Sequence, residues 1–286
     1  MLRMSGTDVA KVRQETLKKK IESFVTKRGR KPGLAVIIVG HDPASQVYVR
    51  SKVKTTVALG MESFHFDLPG NTSEAELLKK IADLNHDVAV DGILVQLPLP
   101  KHLKSDGVLA AIDPAKDPDG LTVFNMGLLL AGRKRVASCT PMGVMAILEH
   151  YKIPVAGRHA VVVGRSNIVG KPMAQLLLEA NATVTICHSR TKDLAQVTRT
   201  GDIVVAAAGQ CRFMGREHFR QGAVVVDVGI HRPDTGEFAG KLCGDVRYEE
   251  LEAWAEAATP VPGGVGPMTI QMLMENTVHL AELRGR

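Results

Sequence analysis

The chain of 286 residues is poor in aromatics: one Trp, three Tyr and seven Phe make up 4% of it. So few platforms disfavour a surface that stacks the bases of single-stranded nucleic acid. Cysteine is scarce as well, and Cys139, Cys187, Cys211 and Cys243 form no C-x-x-C pair. That spacing suggests neither a zinc knuckle nor a disulfide framework, so no metal site is expected and the thiols are predicted to be reduced and mostly buried. No apolar run approaches the roughly 18 residues of a membrane span, and the basic N-terminus lacks the apolar core of a secretory signal. A cytoplasmic protein that engages no membrane is expected. Internal repeats and low-complexity segments are missing too.

What remains is a globular composition, 45% hydrophobic and 23% charged, long enough for one large domain or two ordinary ones. The net charge of +6 is unevenly placed: residues 1–31 hold 10 Lys or Arg against 3 Asp or Glu, and the other 255 hold 26 against 27. The body is therefore close to neutral, which argues against a nucleic-acid-binding role. Within the basic stretch Val9, Val12, Leu17, Ile21 and Phe24 recur at helical spacing. Its lysines fit the solvated face of one amphipathic helix, with attraction of an acidic ligand as the other reading.

The run Val161-Val162-Val163-Gly164-Arg165-Ser166-Asn167-Ile168-Val169-Gly170-Lys171-Pro172 is a strand that turns into a helix through glycines. Such a turn presents free N–H groups to phosphate. It departs from G-x-G-x-x-G, because Ser166 holds the second glycine position and Gly170 comes one residue late. Taken alone it fits a dinucleotide loop or a doubly wound domain whose glycines only close turns. The next strand, Thr183 to Cys187, ends in His188-Ser189-Arg190-Thr191, without the acid that holds the ribose of NAD. With Arg165 nearby, NADP is the expected cofactor. Residues 202–206 and 223–229 add two apolar runs typical of strands buried on both faces.

The first half also alternates strand and helix. Gly33 to Gly40 is a strand, Asp42-Pro43 opens a helix that runs to about Leu59, and a strand lies at Phe64 to Leu68. Thr72-Ser73-Glu74 starts another helix, and Gly92 to Leu97 is a strand ended by Pro98-Leu99-Pro100. Residues 113–140, rich in Pro, Gly and Asp, are predicted to be a hinge, and Pro141 to Tyr151 a helix. Thr259 to Pro267 is too turn-prone for regular structure, and a last helix is predicted from about Met268 to Leu283.

Three features suggest a polar small-molecule site in this half. Tyr48 and Lys52 share a helix face at i, i+4, a spacing that fits an ordinary surface contact equally well. Gln96 lies at the C-terminal end of a buried strand, where ligand groups gather in open α/β sheets. Asp117-Pro118-Asp119-Gly120 is a tight acidic turn, which in many proteins only caps a helix.

Residues 43–52, 91–100, 116–120, 164–170 and 259–269 together closely resemble the bifunctional methylenetetrahydrofolate dehydrogenase/methenyltetrahydrofolate cyclohydrolases, over nearly the whole chain. The resemblance implies an α/β fold with an N-terminal catalytic domain, a C-terminal Rossmann-type NADP-binding domain and a cleft between them. The boundaries it suggests are 1–140 plus a returning helix, 267–286, for the first domain and 141–266 for the second. It makes Lys52 the catalytic lysine, with Tyr48 and Gln96 positioning folate and Asp119 gripping the pterin. Pro260, Pro262, Gly263, Gly264 and Gly266 would line the folate site, while Gly164, Arg165, Ser166, Ser189 and Ile230 would contact NADP. A homodimer through the Rossmann domains is implied as well.

Three departures stand out: no Asp-Gly-Lys run occurs near Ser5 to Asp8, Pro118 separates the two acids of the turn, and Thr55-Thr56 follow the lysine motif. The chemistry agrees with a site poor in histidine, since hydride loss from the bridging carbon needs alignment and no proton acceptor. Hydrolysis of the methenyl cation does need proton transfer, for which a desolvated lysine is suited. A shikimate-type or amino-acid dehydrogenase shares the domain plan, but the Gln96 and Asp119 motifs weigh against it.

Overall fold

The computed structural model describes residues 1–284, the side chains of Pro43 and Ala44 excepted. In chain order the elements begin β1 (Leu2–Arg3), α1 (Gly6–Arg28), β2 (Gly33–Val39), α2 (Pro43–Ala58), β3 (Glu62–Leu68), α3 (Glu74–His86) and β4 (Gly92–Val95). There follow α4 (Ser105–Ala110), α5 (Val123–Leu130), α6 (Cys139–His150), β5 (His159–Val163), α7 (Gly170–Glu179) and β6 (Thr183–Cys187). The last are α8 (Leu194–Thr198), β7 (Ile203–Ala206), β8 (Val224–Asp227), β9 (Ala257–Ala258) and α9 (Val265–Leu283). The chain forms two compact units: Met1–Lys11 with Thr140–Thr269, and Val12–Cys139 with the segment from Ile270 on.

The second of these units is built on a three-stranded parallel sheet in the order β3-β2-β4. Every residue of β2 and β4 is buried, as their unbroken apolar sequence requires of strands covered on both faces. Helix starts are marked as the sequence suggests. Asp42 accepts from Ser45 N at the head of α2, and Ser73 and Glu76 form a reciprocal capping box on α3. Leu77, Ile81 and Leu84 of α3 then pack with Ile37, Val39, Ile93 and Val95 of the sheet. Buried Asp91, just ahead of β4, accepts from Gly33 N and pairs with Arg30 and Arg284. The Asp-Gly that opens this motif is thus structural.

The other unit carries a six-stranded, all-parallel sheet in the order β1-β9-β8-β7-β5-β6. The chain moves from β5 outward to β6 and then back across to β7, so strand order reverses at β5. In sheets of this kind that switch point, at the carboxyl ends of the strands, is the ligand edge.

The structure differs from the sequence-based expectations in four places. The first eleven residues, expected in the catalytic domain, belong to the Rossmann unit. The cause is backbone pairing: Leu2 N donates to Glu256 O and Met4 N to Ala258 O, each at 2.8 Å. A Cβ at Gly6 would lie 1.9 Å from Gly264 O, so only glycine permits that approach. Residues 113–140, predicted to be a hinge, contain α5, which Thr122 caps by accepting from Asn125 N. Helix α9 begins at Val265, inside the segment expected to be irregular, because the turn at Gly263 (φ 94°) is already complete. Finally, Cys211 and Cys243 are joined by a disulfide, not reduced. The antiparallel bridge of His231 with Cys243, and the Arg212 N to Gly244 O bond of 2.8 Å, bring these distant residues together. Cys139 and Cys187 are free and buried, as predicted.

Candidate functional site

Lys52, Gln96 and Asp119 come together in the unit built on β2, β3 and β4. The helical hydrogen bonding of α2 and its spacing put Lys52 one turn beyond Tyr48 on the same face. Gln96 follows β4, with its backbone N–H donated to Ile37 O at 2.8 Å, which continues the sheet by one residue. Lys52 Nζ donates to Gln96 Oε1 at 2.9 Å, and Gln96 Nε2 donates in turn to Leu97 O at 2.6 Å. The amide is thus fixed with its oxygen toward the amine. The peptide between Leu97 and Pro98 is cis.

The acidic turn divides its labour. Buried Asp117 accepts from Leu121 N (3.2 Å), Thr122 N (2.8 Å) and Asn125 Nδ2 (2.9 Å), so it is the carboxylate that fixes the capping residue Thr122 at the start of α5. Asp119 is turned the other way, toward Lys52 and Cys139. Gly120 makes the turn possible: its φ is +64°, and a Cβ there would lie 2.7 Å from the backbone of Ala137. This close approach brings Cys139 beside Asp119. From α9, Asn276 Nδ2 donates to Pro118 O (2.7 Å) and Ala137 O (3.1 Å), and so ties the two strands of the turn. Cys139 and Asn276 were missed in the sequence. A single cysteine at the start of a helix carries no signal, and Asn276 is more than 130 residues from its partners.

The electrostatics of the cluster follow from burial. Desolvation pushes the Lys52 pKa down, opposed by the charges of Asp119 and Cys139. Desolvation pushes Asp119 up, opposed by Lys52, and pushes the Cys139 thiol well up, reinforced by Asp119. Burial also raises the pKa of the Tyr48 phenol, whose residue is 36% exposed. The result is an amine held by a neutral acceptor and biased toward giving up its proton, next to a carboxylate that can accept hydrogen bonds.

The glycine loop lies in the other unit. Gly164 has φ +141°, and a Cβ on it would lie 2.2 Å from Ala207 O; a Cβ on Gly170 would lie 2.2 Å from Gly164 O. The late glycine is therefore the one the fold requires, and Ser166 takes a different part. Its Oγ accepts from Val169 N (3.2 Å) and Gly170 N (3.4 Å), capping the start of α7. Arg165, Ser189 and Ile230 are exposed at the carboxyl ends of β5, β6 and β8. The tip of β6 is closed by Thr191 Oγ1, which accepts from His188 N at 2.9 Å, and carries no acid. A backbone cradle that a side chain would fill, with an exposed cation at its rim, fits a dinucleotide bearing a ribose phosphate. Pro260 to Gly266 form a compact turn in this unit: Gly263 O accepts from Thr7 N at 3.1 Å, and a Cβ on Gly264 would lie 2.3 Å from Pro260 O. Among the described residues no group of His, Cys, Asp and Glu is arranged to hold a metal, and no helix is long and apolar enough to cross a membrane.

A sequence profile described as the catalytic domain of tetrahydrofolate dehydrogenase/cyclohydrolase matches residues 4–119, and one described as its NAD(P)-binding domain matches residues 138–285. The chain belongs to this family. It is a methylenetetrahydrofolate dehydrogenase and methenyltetrahydrofolate cyclohydrolase, with an N-terminal catalytic domain and a C-terminal NAD(P)-binding domain. The bifunctional protein FolD of Bdellovibrio bacteriovorus is 54% identical over 286 residues, covering 100% of this chain and 98% of that one. The crystal structure of the bifunctional enzyme FolD from Campylobacter jejuni superposes with a TM-score of 0.95 at 46% identity, covering 99% of each chain. That of the Trypanosoma brucei enzyme, complexed with NADP cofactor and inhibitor, gives 0.94 at 38% identity and covers 100% of this chain and 99% of that one.

Proposed function

We propose that Lys52, Gln96, Asp119 and Tyr48 are the residues with which this chain oxidises 5,10-methylenetetrahydrofolate to the methenyl compound and hydrolyses that to 10-formyltetrahydrofolate. The observation that carries the assignment is the Lys52 amine held at 2.9 Å by Gln96 Oε1 beside the Asp119 carboxylate. NADP, when bound, supplies the hydride acceptor. Asp119 accepts two hydrogen bonds from the pterin amino group and adjacent ring N–H, which fixes the bridging carbon. Tyr48 and Gln96 orient the folate from α2 and from the end of β4.

In the hydrolytic step Lys52 acts as base. Its lowered pKa increases the share of neutral amine, which takes a proton from the water attacking the methenyl carbon. Gln96 accepts one amine N–H and leaves the lone pair free for that proton. Asp119, already committed to the pterin, is not the base.

The rest of the assignment concerns binding. Gly164, Ser166 and the head of α7 receive the phosphates of NADP, Arg165 and Ser189 its ribose phosphate, and Ile230 its far end, while Pro260, Pro262, Gly263, Gly264 and Gly266 contact folate. A homodimer through the Rossmann units is supported by β6, a sheet edge unpaired among the described residues, with Ile186 and Leu178 44% and 55% exposed. Operation in the cytoplasm is supported by the two buried thiols, Cys139 and Cys187, that stay unpaired.

The test is a folate titration of Asp119→Ala beside assays of both activities. Both activities should fall together with folate affinity. Normal folate binding in that variant would make the turn merely structural.

A further inference from the structure

Asp245 is fully buried at the ligand edge of the six-stranded sheet, and each of its carboxylate oxygens accepts two hydrogen bonds. Its Oδ2 accepts from Ala208 N (2.6 Å) and Gly209 N (3.0 Å), and its Oδ1 from Gln210 N (3.0 Å) and His231 Nε2 (2.7 Å). The first three donors are the loop that leaves β7; the fourth is the residue after Ile230, in the loop that leaves β8. Asp227, at the end of β8, holds Asp245 in turn by accepting from Asp245 N (3.0 Å), Val246 N (2.9 Å) and Gly229 N (2.9 Å). The approach is so close that a Cβ on Gly229 would lie 2.3 Å from Asp245 Oδ1, and one on Gly244 1.9 Å from Asp227 Oδ2. The Cys211–Cys243 disulfide ties the same two segments.

The placement gives this cluster a direction. A dinucleotide lies across the switch point with its phosphates at the first strand-to-helix turn and its adenosine ribose at the tip of the next strand. Here those are Gly164 to Gly170 and the tip of β6, so the nicotinamide half extends the other way, over the ends of β7 and β8. The two loops found there are the two that Asp245 joins.

We propose that Asp245 is a positioning residue for the dehydrogenase reaction: through the N–H groups of 208–210 and through His231 it sets the two loops that receive the nicotinamide half of NADP. It touches neither cofactor nor folate itself. The proposal rests on the dinucleotide assignment above, and the experiment separates the two.

Full-length wild type, Asp245→Asn and His231→Ala are titrated calorimetrically with NADP and with adenosine 2′,5′-bisphosphate, which lacks the nicotinamide half. Asp245→Asn puts an NH₂ where backbone N–H groups already point, and His231→Ala removes one tether from a side chain that is 22% exposed. The NADP dissociation constant should rise at least about tenfold in Asp245→Asn and about threefold in His231→Ala, the size of a lost charge-assisted and a lost single hydrogen bond. Bisphosphate binding should be unchanged in both, and the ratio of dehydrogenase to cyclohydrolase activity should fall with NADP affinity. If Asp245→Asn fails to fold, His231→Ala carries the test alone. Equal weakening of the two ligands, or unchanged NADP binding, would overturn the role of Asp245. Failure of wild type to bind the bisphosphate would overturn the dinucleotide assignment and this proposal with it.

Discussion

Around Lys52 the proposed ligand groups are side chains: an amine and a phenol on α2, an amide oxygen just after β4 and a carboxylate on the acidic turn. Around Gly164 they are backbone N–H groups, and the side chains matter by being absent. A site of the first kind tolerates some backbone play but depends on the chemical identity of each residue. One of the second kind accepts varied side chains at its rim but no added atom at two positions, where a Cβ would lie 2.2 Å from a carbonyl oxygen. The regions also differ in charge: burial lowers the pKa of Lys52 and raises that of Asp119, whereas the glycine loop offers fixed dipoles.

That contrast breaks first, if it is wrong, at Lys52. Lys52→Met keeps the stem and deletes the amine, and cyclohydrolase activity should fall by about 100-fold or more, the usual contribution of a positioned base. Dehydrogenase activity should remain measurable, so a lasting methenyl absorbance is the signal to record. In wild type the hydrolysis rate should climb with pH through a midpoint below the ordinary lysine value of 10.5, because the neutral amine is the active form and burial lowers its pKa. A rate that falls across that range would make Lys52 a donor that positions water.

Gly164→Ala tests the backbone side of the comparison. Its φ of +141° and the 2.2 Å approach to Ala207 O predict strain that the loop must relieve by moving. Unfolding should be easier by about 1–3 kcal/mol and NADP binding weaker, with folate binding kept. Loss of both ligands together would mean that the two sites do not stand on separate supports. Arg165→Ala should raise the NADP Michaelis constant roughly 10- to 100-fold and leave NAD kinetics nearly unchanged, since one charge-assisted bond to the ribose phosphate is removed. An equal rise for both cofactors would assign Arg165 a structural part. The smallest effect expected is on assembly: Ile186→Lys on β6 should shift the proposed dimer toward monomer in sedimentation, with cyclohydrolase activity preserved; a wild type that sediments as monomer would overturn the dimer, and a variant that stays dimeric would place its interface elsewhere.

Much of this was legible from local rules. β2, β4, β5, β7 and β8 appeared as continuous apolar runs, and the caps at Asp42 and Ser73 announced α2 and α3. Tyr48 and Lys52 shared a face by spacing, and Gln96 lay where a buried strand ends. What escaped was anything set by partners far away in the chain. Helix α5 sits where proline and glycine suggested a hinge, because Thr122 accepts from Asn125 N and Asp117 fixes that cap by accepting from Thr122 N. Leu2 and Arg3 joined the six-stranded sheet unannounced because a two-residue strand has no periodicity to read and is defined by its pairing with the segment around Glu256 and Ala258. The Cys211–Cys243 bond has the same character: cysteine spacing is silent about it, and the strand-like bridge at His231 decides it.

The sequence by itself determined the strand and helix repertoire, the identity of the chemical groups and the two glycine-rich turns, because those depend on residues within one or two turns of each other. Only the tertiary structure decided which acid of Asp117-Pro118-Asp119 fixes the start of α5 and which faces Lys52, that Cys139 stands beside Asp119, and that Asp245 joins two loops. Each of those follows from a close approach between segments distant in the chain, allowed by a glycine without a Cβ or fixed by a buried hydrogen bond, and neither leaves a periodic mark in the sequence.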